Sequence, residues 1–250
     1  MPDPVWEFIR VERLSDGHIL WITIDRPEVR NALHPPASEE LGRAWDLLEA
    51  EADLRVGVLT GAGDRAFCAG FDLKWAQAHP GKLDQRNVAQ QGGFGGLTAR
   101  RVEKPLIAAV NGAAMGGGLE LALACDLIVA ADSARFGLPE VSVGLVANAG
   151  GVQRLMRQVP AKRAMRLILT AESISAQEAF DIGLITQLVP LDKLANSARV
   201  LAERIAGLPP LAVCAAKEAA DLSQSLPLAE ALRYQYPAID RLFAAHNRGK

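Results

Sequence analysis

One carboxylate, Glu120, stands in a strongly apolar stretch of this sequence, NGAAMGGGLELALACD (111–126). Burying an unpaired charge costs on the order of several kcal/mol, so an acid here needs a compensating partner or a chemical role. Three glycines, Gly116–Gly118, precede it and would leave the N–H groups of a helix start uncovered. With the helix dipole, such groups form a site for an anion or an oxyanion. A tight turn followed by an ordinary first-turn acid fits the same letters, so both interpretations stay open.

Two other segments combine glycines with acidic residues. GAGDRAFCAGFDLK (61–74) follows a predicted strand and turns at Gly70. RFGLPEVSVGLVANAGGVQRL (135–155) places Glu140 after a proline in an apolar setting, and its Gly-Gly pair at 150–151 predicts a helix start. Glu140 can be a simple turn acid. Two carboxylic acids brought close together would raise at least one of their pKa values.

Several kinds of site are absent from the sequence. It contains no phosphate-binding loop, no dinucleotide fingerprint and no nucleophile elbow. The four histidines lack a second ligand at metal spacing and are predicted to be surface or turn residues: His18, His34, His79 and His246. The three cysteines are odd in number and far apart, which favours reduced thiols. We therefore expect no metal and no separate cofactor.

Charge and hydropathy limit the partners. The 250 residues carry a formal net charge of −2 without a basic patch, and the helix predicted at 38–53 has six acidic residues and one arginine. This pattern argues against nucleic acid and anionic membranes as partners. The N-terminus has acids and no apolar core typical of a signal peptide, and no apolar run reaches about 18 residues, so a cytoplasmic location is expected.

Short apolar runs alternate with helical patterns, which predicts an α/β protein with a largely parallel sheet. The predicted strands are 18–25, 56–61, 105–112 and 126–132. Helices are predicted at 38–53 with Ser38 as N-cap, at 111–126, and at 161–172, 175–183, 191–207 and 211–224. Strands are thus expected only in the first 155 residues or so. SAQE (175–178) reads as a capping box, and the polar, glycine-rich stretch 76–97 as a functional loop.

The sequence resembles the enoyl-CoA hydratase/isomerase (crotonase) superfamily. The motifs occur in the family's order and extend over roughly residues 11–240: RPEVRNAL (26–33), GAGDRAFCAGFDL (61–73), KPLIAAVNGAAMGGGLELALACD (104–126), ARFGLPEVSVGLVANAGGVQRL (134–155) and SAQEAFDIGLITQLVP (175–190). The resemblance implies a spiral of ββα units with a C-terminal helical trimerisation region and assembly into a homotrimer or homohexamer. It implies a core at 1–195 and a helical region at 196–250, about 15 residues shorter than is usual in the family.

The resemblance also implies an acyl-CoA thioester as substrate, with coenzyme A needed only as part of it. By position, the backbone N–H groups of Phe71 and Gly117 would form an oxyanion hole, and Glu120 and Glu140 would be the catalytic acids of a hydratase. The implied substrate and CoA contacts are Arg30, Ala32, Ala69, Gly70, Asp72, Leu73 and Gly116.

Other functions stay open at this point. An enoyl-CoA isomerase or a specialised dehydratase, such as one acting on carnitinyl-CoA, would share the motifs, although isomerases typically use one acid. A non-catalytic acyl-CoA binder is favoured only by the short C-terminus. Asn148 lies where many hydratases have a smaller residue, and either alters the acyl pocket or is a turn residue.

Overall fold

The computed structural model describes residues 5–80 and 92–248. Ten strands form two sheets within these ranges. They are β1 (Ile9–Leu14), β2 (Ile19–Ile24), β3 (Val56–Gly61), β4 (Ala66–Cys68), β5 (Leu106–Val110), β6 (Ala113–Met115), β7 (Leu127–Ala131), β8 (Arg135–Gly137), β9 (Ser173–Ser175) and β10 (Gln187–Val189). The larger sheet has the order β1-β2-β3-β5-β7-β10, and the smaller has the order β4-β6-β8-β9.

The predicted α/β class and mainly parallel sheet are confirmed. In the larger sheet β1 is antiparallel to β2, and all other neighbours are parallel. In the smaller sheet β4, β6 and β8 are parallel, and β9 is antiparallel to β8. The four predicted strands correspond to β2, β3, β5 and β7.

Two expectations about strand position were wrong. Strands do occur after residue 155, because β9 pairs with β8 and β10 completes the larger sheet beside β7. Residues 113–115 form a strand rather than the start of a helix, because they pair with β4 on one side and β8 on the other. Each of these strands has only three residues, too few to show a periodic pattern, so tertiary pairing decides their conformation.

The helices outline the rest of the chain. They are α1 (Pro35–Ala50), α2 (Leu73–Ala78), α3 (Gly117–Ala124), α4 (Gly151–Gln158), α5 (Ala161–Thr170), α6 (Ala176–Asp181), α7 (Leu191–Ala206), α8 (Pro210–Ser223), α9 (Leu228–Ala231) and α10 (Pro237–Arg248). Ser175 and Glu178 form the predicted capping box of α6. The last residues of α2 overlap the start of the predicted 76–97 loop, and residues 81–91 of that loop lie outside the described residues.

The first long helix begins earlier than predicted. Its N-cap is His34 rather than Ser38, and the His34 ring nitrogen accepts a hydrogen bond from the N–H of Ala37. Two prolines at the helix start are compatible with this cap, because the first helical N–H groups have no intrahelical acceptor. His34 is buried, so the expectation of a surface or turn histidine is wrong for this residue.

Both faces of the larger sheet are covered. The buried face of α1, including Leu41, Trp45 and Leu48, belongs to a cluster with alternate residues of β2 and β5. On the other face, α7 packs its alanine-rich side against Val56, Ile107 and Val129 and their neighbours. Helix α7 runs across residue 195, where the two-domain prediction places its boundary, and that division stays a prediction.

Two adjacent residues of α8 attach the C-terminal helices to the sheet. Lys217 Nζ donates to Asp126 Oδ2 at 2.7 Å and to the Lys104 carbonyl at 3.0 Å. Glu218 accepts from Arg101 at 2.5 Å and from the N–H of Ala238 at 2.7 Å. Trimer or hexamer formation stays a prediction. Over residues 5–80 and 92–248, no helix has the length and hydropathy needed to cross a membrane.

Candidate active site

The segment around Phe71 is held as an extended strand by its neighbours. Leu33 N–H donates to the Gly70 carbonyl at 2.8 Å, and Asp72 N–H donates to the Leu33 carbonyl at 2.9 Å. Because successive N–H groups of an extended chain point to opposite sides, the Phe71 N–H faces away from Leu33. The Ala69 N–H donates to the Arg30 carbonyl at 3.1 Å, so a further hydrogen bond joins the Phe71 segment to the Leu33 segment on the other side of Gly70.

A buried ion pair supports this segment from behind. Arg26 Nη2 lies 3.0 Å from Asp72 Oδ2, and both side chains are nearly hidden from solvent. Arg26 Nη1 also donates to the Ala32 carbonyl, and Asp72 Oδ1 caps α2 by accepting the Trp75 N–H at 3.0 Å. Burial alone would raise the pKa of Asp72, but the hydrogen bonds from Trp75 and Arg26 and the Arg26 charge outweigh it, so the pKa is lowered.

The turn at Gly70 approaches the start of α3. Gly70 has φ +94°, and a Cβ built on it would lie 2.8 Å from the Met115 carbonyl oxygen and 3.2 Å from the Gly117 nitrogen. Gly117 is the first residue of α3, so its N–H has no intrahelical acceptor. The two backbone donors singled out from the sequence, those of Phe71 and Gly117, therefore belong to adjoining turns.

Each of the three consecutive glycines has a different neighbour that excludes a side chain. Gly116 has φ +55°, and its Cβ would lie 2.8 Å from Glu140 Oε1. A Cβ on Gly117 would lie 2.6 Å from the Phe94 ring, and one on Gly118 only 1.9 Å from the Cys68 carbonyl oxygen. The absence of a side chain is thus a packing requirement at all three positions.

Glu120 is 4% exposed and lies at the N-termini of two helices. It is in the first turn of α3, as predicted, and its Oε1 accepts the N–H of Gly151, the first residue of α4, at 2.9 Å. The backbone N–H of Ala149 also bonds this carboxylate. The predicted helix start at the Gly-Gly pair is confirmed, and it supplies the donor.

Glu140 lies on a short 3₁₀ helix, Pro139–Val143, and its Oε1 occupies the space beside Gly116 that a Cβ there would need. Gly116 is also the N-cap of α3, the helix that carries Glu120, and its carbonyl accepts the backbone N–H of Glu120 at 3.0 Å. Glu140 Oε2 is buried and has no hydrogen-bond partner among the described residues. An unpaired buried carboxylate oxygen is rare in folded proteins and calls for a functional explanation.

Both carboxyls have raised pKa values. Burial is the main cause that raises the pKa of Glu120 to about 7, and the Glu140 charge raises it further. Hydrogen bonds from the N–H groups of Gly151 and Ala149 lower the pKa but do not cancel the effect of burial. Burial also raises the pKa of Glu140. The pKa values are raised, as expected from the sequence. The main cause is burial rather than repulsion between the two acids.

The structure places the expected substrate-binding residues around the Phe71 segment. Arg30 is exposed and in a left-handed conformation, and Leu73 is exposed at the start of α2. Ala32 is buried, and the Asp72 side chain is engaged by Arg26 and Trp75. Ala69, Gly70 and Gly116 lie on the turns described above. The contacts of these residues with a substrate stay predictions.

Sequence reasoning missed the residues that hold the site in place. Asn31 is fully buried and donates to the carbonyls of Ala62 and Ala66. Phe94 packs on Gly117, and Arg154 approaches Glu120. Asn31 could have been noticed as an asparagine inside the RNAL motif, but neither Phe94 nor Arg154 carries a sequence signal for its contact. No group of three or more metal-binding side chains occurs in the part of the chain that the structure describes.

The candidate site thus combines the backbone N–H groups of Phe71 and Gly117 on adjoining turns, the buried carboxyl of Glu120 and the half-buried carboxyl of Glu140. Such a layered α/β architecture with C-terminal helices is the crotonase fold. The chain belongs to the enoyl-CoA hydratase/isomerase family, whose model matches residues 15–249.

Curated relatives and solved structures agree with this assignment. The chain is 42% identical over 220 residues to (E)-benzylidenesuccinyl-CoA hydratase of Thauera aromatica, covering 88% of this chain and 85% of the relative. It is 41% identical over 220 residues to carnitinyl-CoA dehydratase of Escherichia coli K12, covering 88% and 83%. The structure of enoyl-CoA hydratase EchA1 from Mycobacterium marinum superposes with a TM-score of 0.86 at 42% identity, covering 95% and 90% of the two chains.

Proposed function

We propose that this protein is a hydro-lyase that reversibly adds water to a 2-enoyl-CoA thioester and gives the 3-hydroxyacyl-CoA. The observation that carries the proposal is the pair formed by the buried Glu120 and the half-buried Glu140, whose Oε2 is hidden beside Gly116 and has no hydrogen-bond partner among the described residues. The similar proteins named as hydratases and dehydratases support the same class of chemistry.

The proposed reaction uses the two carboxyls in different protonation states. The ionised carboxylate takes a proton from a water molecule while the oxygen of that water bonds to C3. The C2–C3 π electrons move toward the thioester oxygen. The protonated carboxyl then delivers its proton to C2. A pKa of about 7 at Glu120 keeps both of its states accessible near neutral pH.

The proposed oxyanion hole stabilises the charge that develops on the thioester oxygen. The N–H groups of Phe71 and Gly117 lie on adjoining turns fixed by Leu33 and by the Gly70 approach. Preorganised donors of this kind contribute about 3–4 kcal/mol each to transition-state stabilisation. CoA is expected along the segments of Arg30 and Ala69, and trimer or hexamer assembly is part of the same proposal.

The decisive experiment measures hydration of a panel of 2-enoyl-CoA substrates by thioester absorbance. Glu120→Gln and Glu140→Gln should each lower kcat by about 10²–10⁴-fold, because each removes one proton-transfer group. Glu178→Gln is the matched control, since Glu178 is an exposed first-turn glutamate in α6 whose capping role a glutamine also fills. Near-full activity in either site variant would contradict the two-carboxyl mechanism.

A specialised substrate is the second candidate within the same chemistry. It is favoured by the benzylidenesuccinyl-CoA and carnitinyl-CoA relatives and by the exposed polar Asn148 beside the Glu120-binding loop. Including both of those thioesters in the panel distinguishes it from a general short-chain hydratase. Isomerisation of a 3-enoyl-CoA without hydration would favour an isomerase, and binding without turnover of any thioester would favour a non-catalytic binder.

A further inference from the structure

Arg154 links two parts of the candidate site that are far apart in sequence. Its Nη2 donates to the Thr98 carbonyl at 2.8 Å, and its Nη1 lies 3.4 Å from the Ala149 carbonyl. Ala149 is in the loop that leads into α4, and the N–H of Gly151, the first residue of α4, donates to Glu120. Thr98 in turn accepts the Phe94 N–H on its hydroxyl at 2.8 Å, and Phe94 is the ring packed on Gly117.

We propose that Arg154 is a positioning residue for the proposed hydration: its guanidinium joins the Thr98 and Ala149 carbonyls and thereby fixes Glu120 relative to the Gly117 N–H. The inference rests on the proposed function. The planar guanidinium of an arginine can donate to two carbonyls in one fixed geometry. A lysine ammonium on a flexible side chain holds two carbonyls less precisely.

Charge supports the same assignment. Burial is the main cause of the raised Glu120 pKa, and of the charged groups that act on Glu120, Glu140 raises its pKa further and Arg154 lowers it. Burial lowers the pKa of Arg154 itself, while the Glu120 charge opposes that effect. Arg154 therefore favours the ionised form of Glu120 without contacting its carboxylate directly.

A cavity lined in part by Arg154 makes the inference testable by chemical rescue. The cavity has a volume of about 550 Å³, and Arg154 lines it together with Leu123, Gln158 and Lys217. A free guanidinium ion is small enough to enter such a space when the arginine side chain is removed.

The experiment compares Arg154→Met, Arg154→Lys and Arg154→Ala with the wild type. Arg154→Met should lower kcat by about 10–100-fold with KM nearly unchanged, because Glu120 is displaced while CoA contacts are not. The acidic limb of its kcat pH profile should move upward by roughly one unit, because a favourable positive charge is lost. Arg154→Lys should keep the limb near its wild-type position but recover only part of kcat, and guanidinium at sub-denaturing concentrations should raise the activity of Arg154→Ala.

Arg157→Met is the matched control, since Arg157 lies on the same helix, is exposed and donates to the carbonyl of Gln153. It should leave kcat and the pH profile unchanged. A folded Arg154→Met with wild-type kcat and pH profile would overturn the inference. If that variant does not fold, Arg154→Lys decides, because full wild-type kcat in it would show that the planar guanidinium is not needed.

A second readout separates this inference from the proposed function. Carbon-13 NMR of Glu-labelled protein reports the Glu120 carboxyl directly, with the signal assigned by its loss in Glu120→Gln. A wild type that is inactive on every thioester contradicts the proposed function. An unchanged Glu120 titration in Arg154→Met contradicts the inference, whatever the activity.

Discussion

The buried carboxylates Asp72 and Glu120 lie on the two sides of the candidate active site and are almost equally hidden, 6% and 4% exposed. Their pKa values nevertheless move in opposite directions. Asp72 has Arg26 in direct contact, whereas Arg154 reaches Glu120 only through the loop between them. At Asp72 the contacts with Arg26 and the Trp75 N–H together outweigh the effect of burial on the pKa, whereas at Glu120 burial remains the largest effect. An ionised Asp72 keeps its ion pair with Arg26 and so keeps the Phe71 segment in place. A carboxyl with a pKa near neutral, such as that of Glu120, can both gain and lose a proton under the same conditions.

The largest effect expected from this contrast is on the Asp72 side. Arg26→Met leaves Asp72 as a buried charge without its partner and should lower the free energy of unfolding by about 3–5 kcal/mol. Urea unfolding measures the loss. The double variant Arg26→Met/Asp72→Asn should recover part of it, because no charge remains to be compensated. A single-variant loss below about 1 kcal/mol would mean that the pair behaves like an exposed one.

An effect of intermediate size and opposite sign is expected at Glu120. Its pKa is about 7 in the folded protein against an ordinary value of 4.5, so the folded state binds more protons between these values and loses stability as pH rises. Glu120→Gln has no charge to ionise and should be more stable than wild type by about 1–3 kcal/mol at pH 8. Thermal or urea unfolding at pH 5 and pH 8 tests this, and the difference should nearly vanish at pH 5. Equal stabilities at both values would show that the burial of Glu120 has no cost.

The smallest effect is the pH dependence on the Asp72 side. Because the Asp72 pKa lies below its ordinary value of 3.8, its ionised form contributes stability above that pH and loses it as the pH falls further. The destabilisation caused by Asp72→Asn should therefore shrink under acidic conditions, which is the reverse of the slope expected at Glu120. Unfolding curves of both proteins from pH 6 downward measure it, and slopes of the same sign at the two sites would remove the contrast.

The fold was predictable where a single segment carries enough pattern. The five- and six-residue strands β2, β3, β5 and β7 show continuous apolar runs, and the capping box at Ser175 is a local motif. The three-residue strands β6, β9 and β10 were not predictable, because their conformation comes from partners far away in the chain. The N-cap at His34 was missed because Ser38 is the more usual capping residue.

The candidate site divides in the same way. The sequence and its family resemblance indicated the positions of Glu120, Glu140, Phe71 and Gly117, and the structure brings their segments together. Their roles in catalysis stay predictions. The contacts of Arg26, Phe94 and Arg154 could not be predicted, since each joins segments separated by tens of residues and depends on side-chain direction.

The three glycines before Glu120 have a consequence for genetics. The obstacle at Gly117 is a side chain, the Phe94 ring, whereas that at Gly118 is the Cys68 backbone and that at Gly116 is both a left-handed conformation and the Glu140 carboxylate. A smaller residue at 94 can therefore make room for Gly117→Ala, but no second substitution can move a carbonyl that every residue possesses. Among revertants of alanine variants in this tripeptide, second-site suppressors should arise for position 117, while position 118 should recover only by restoring glycine.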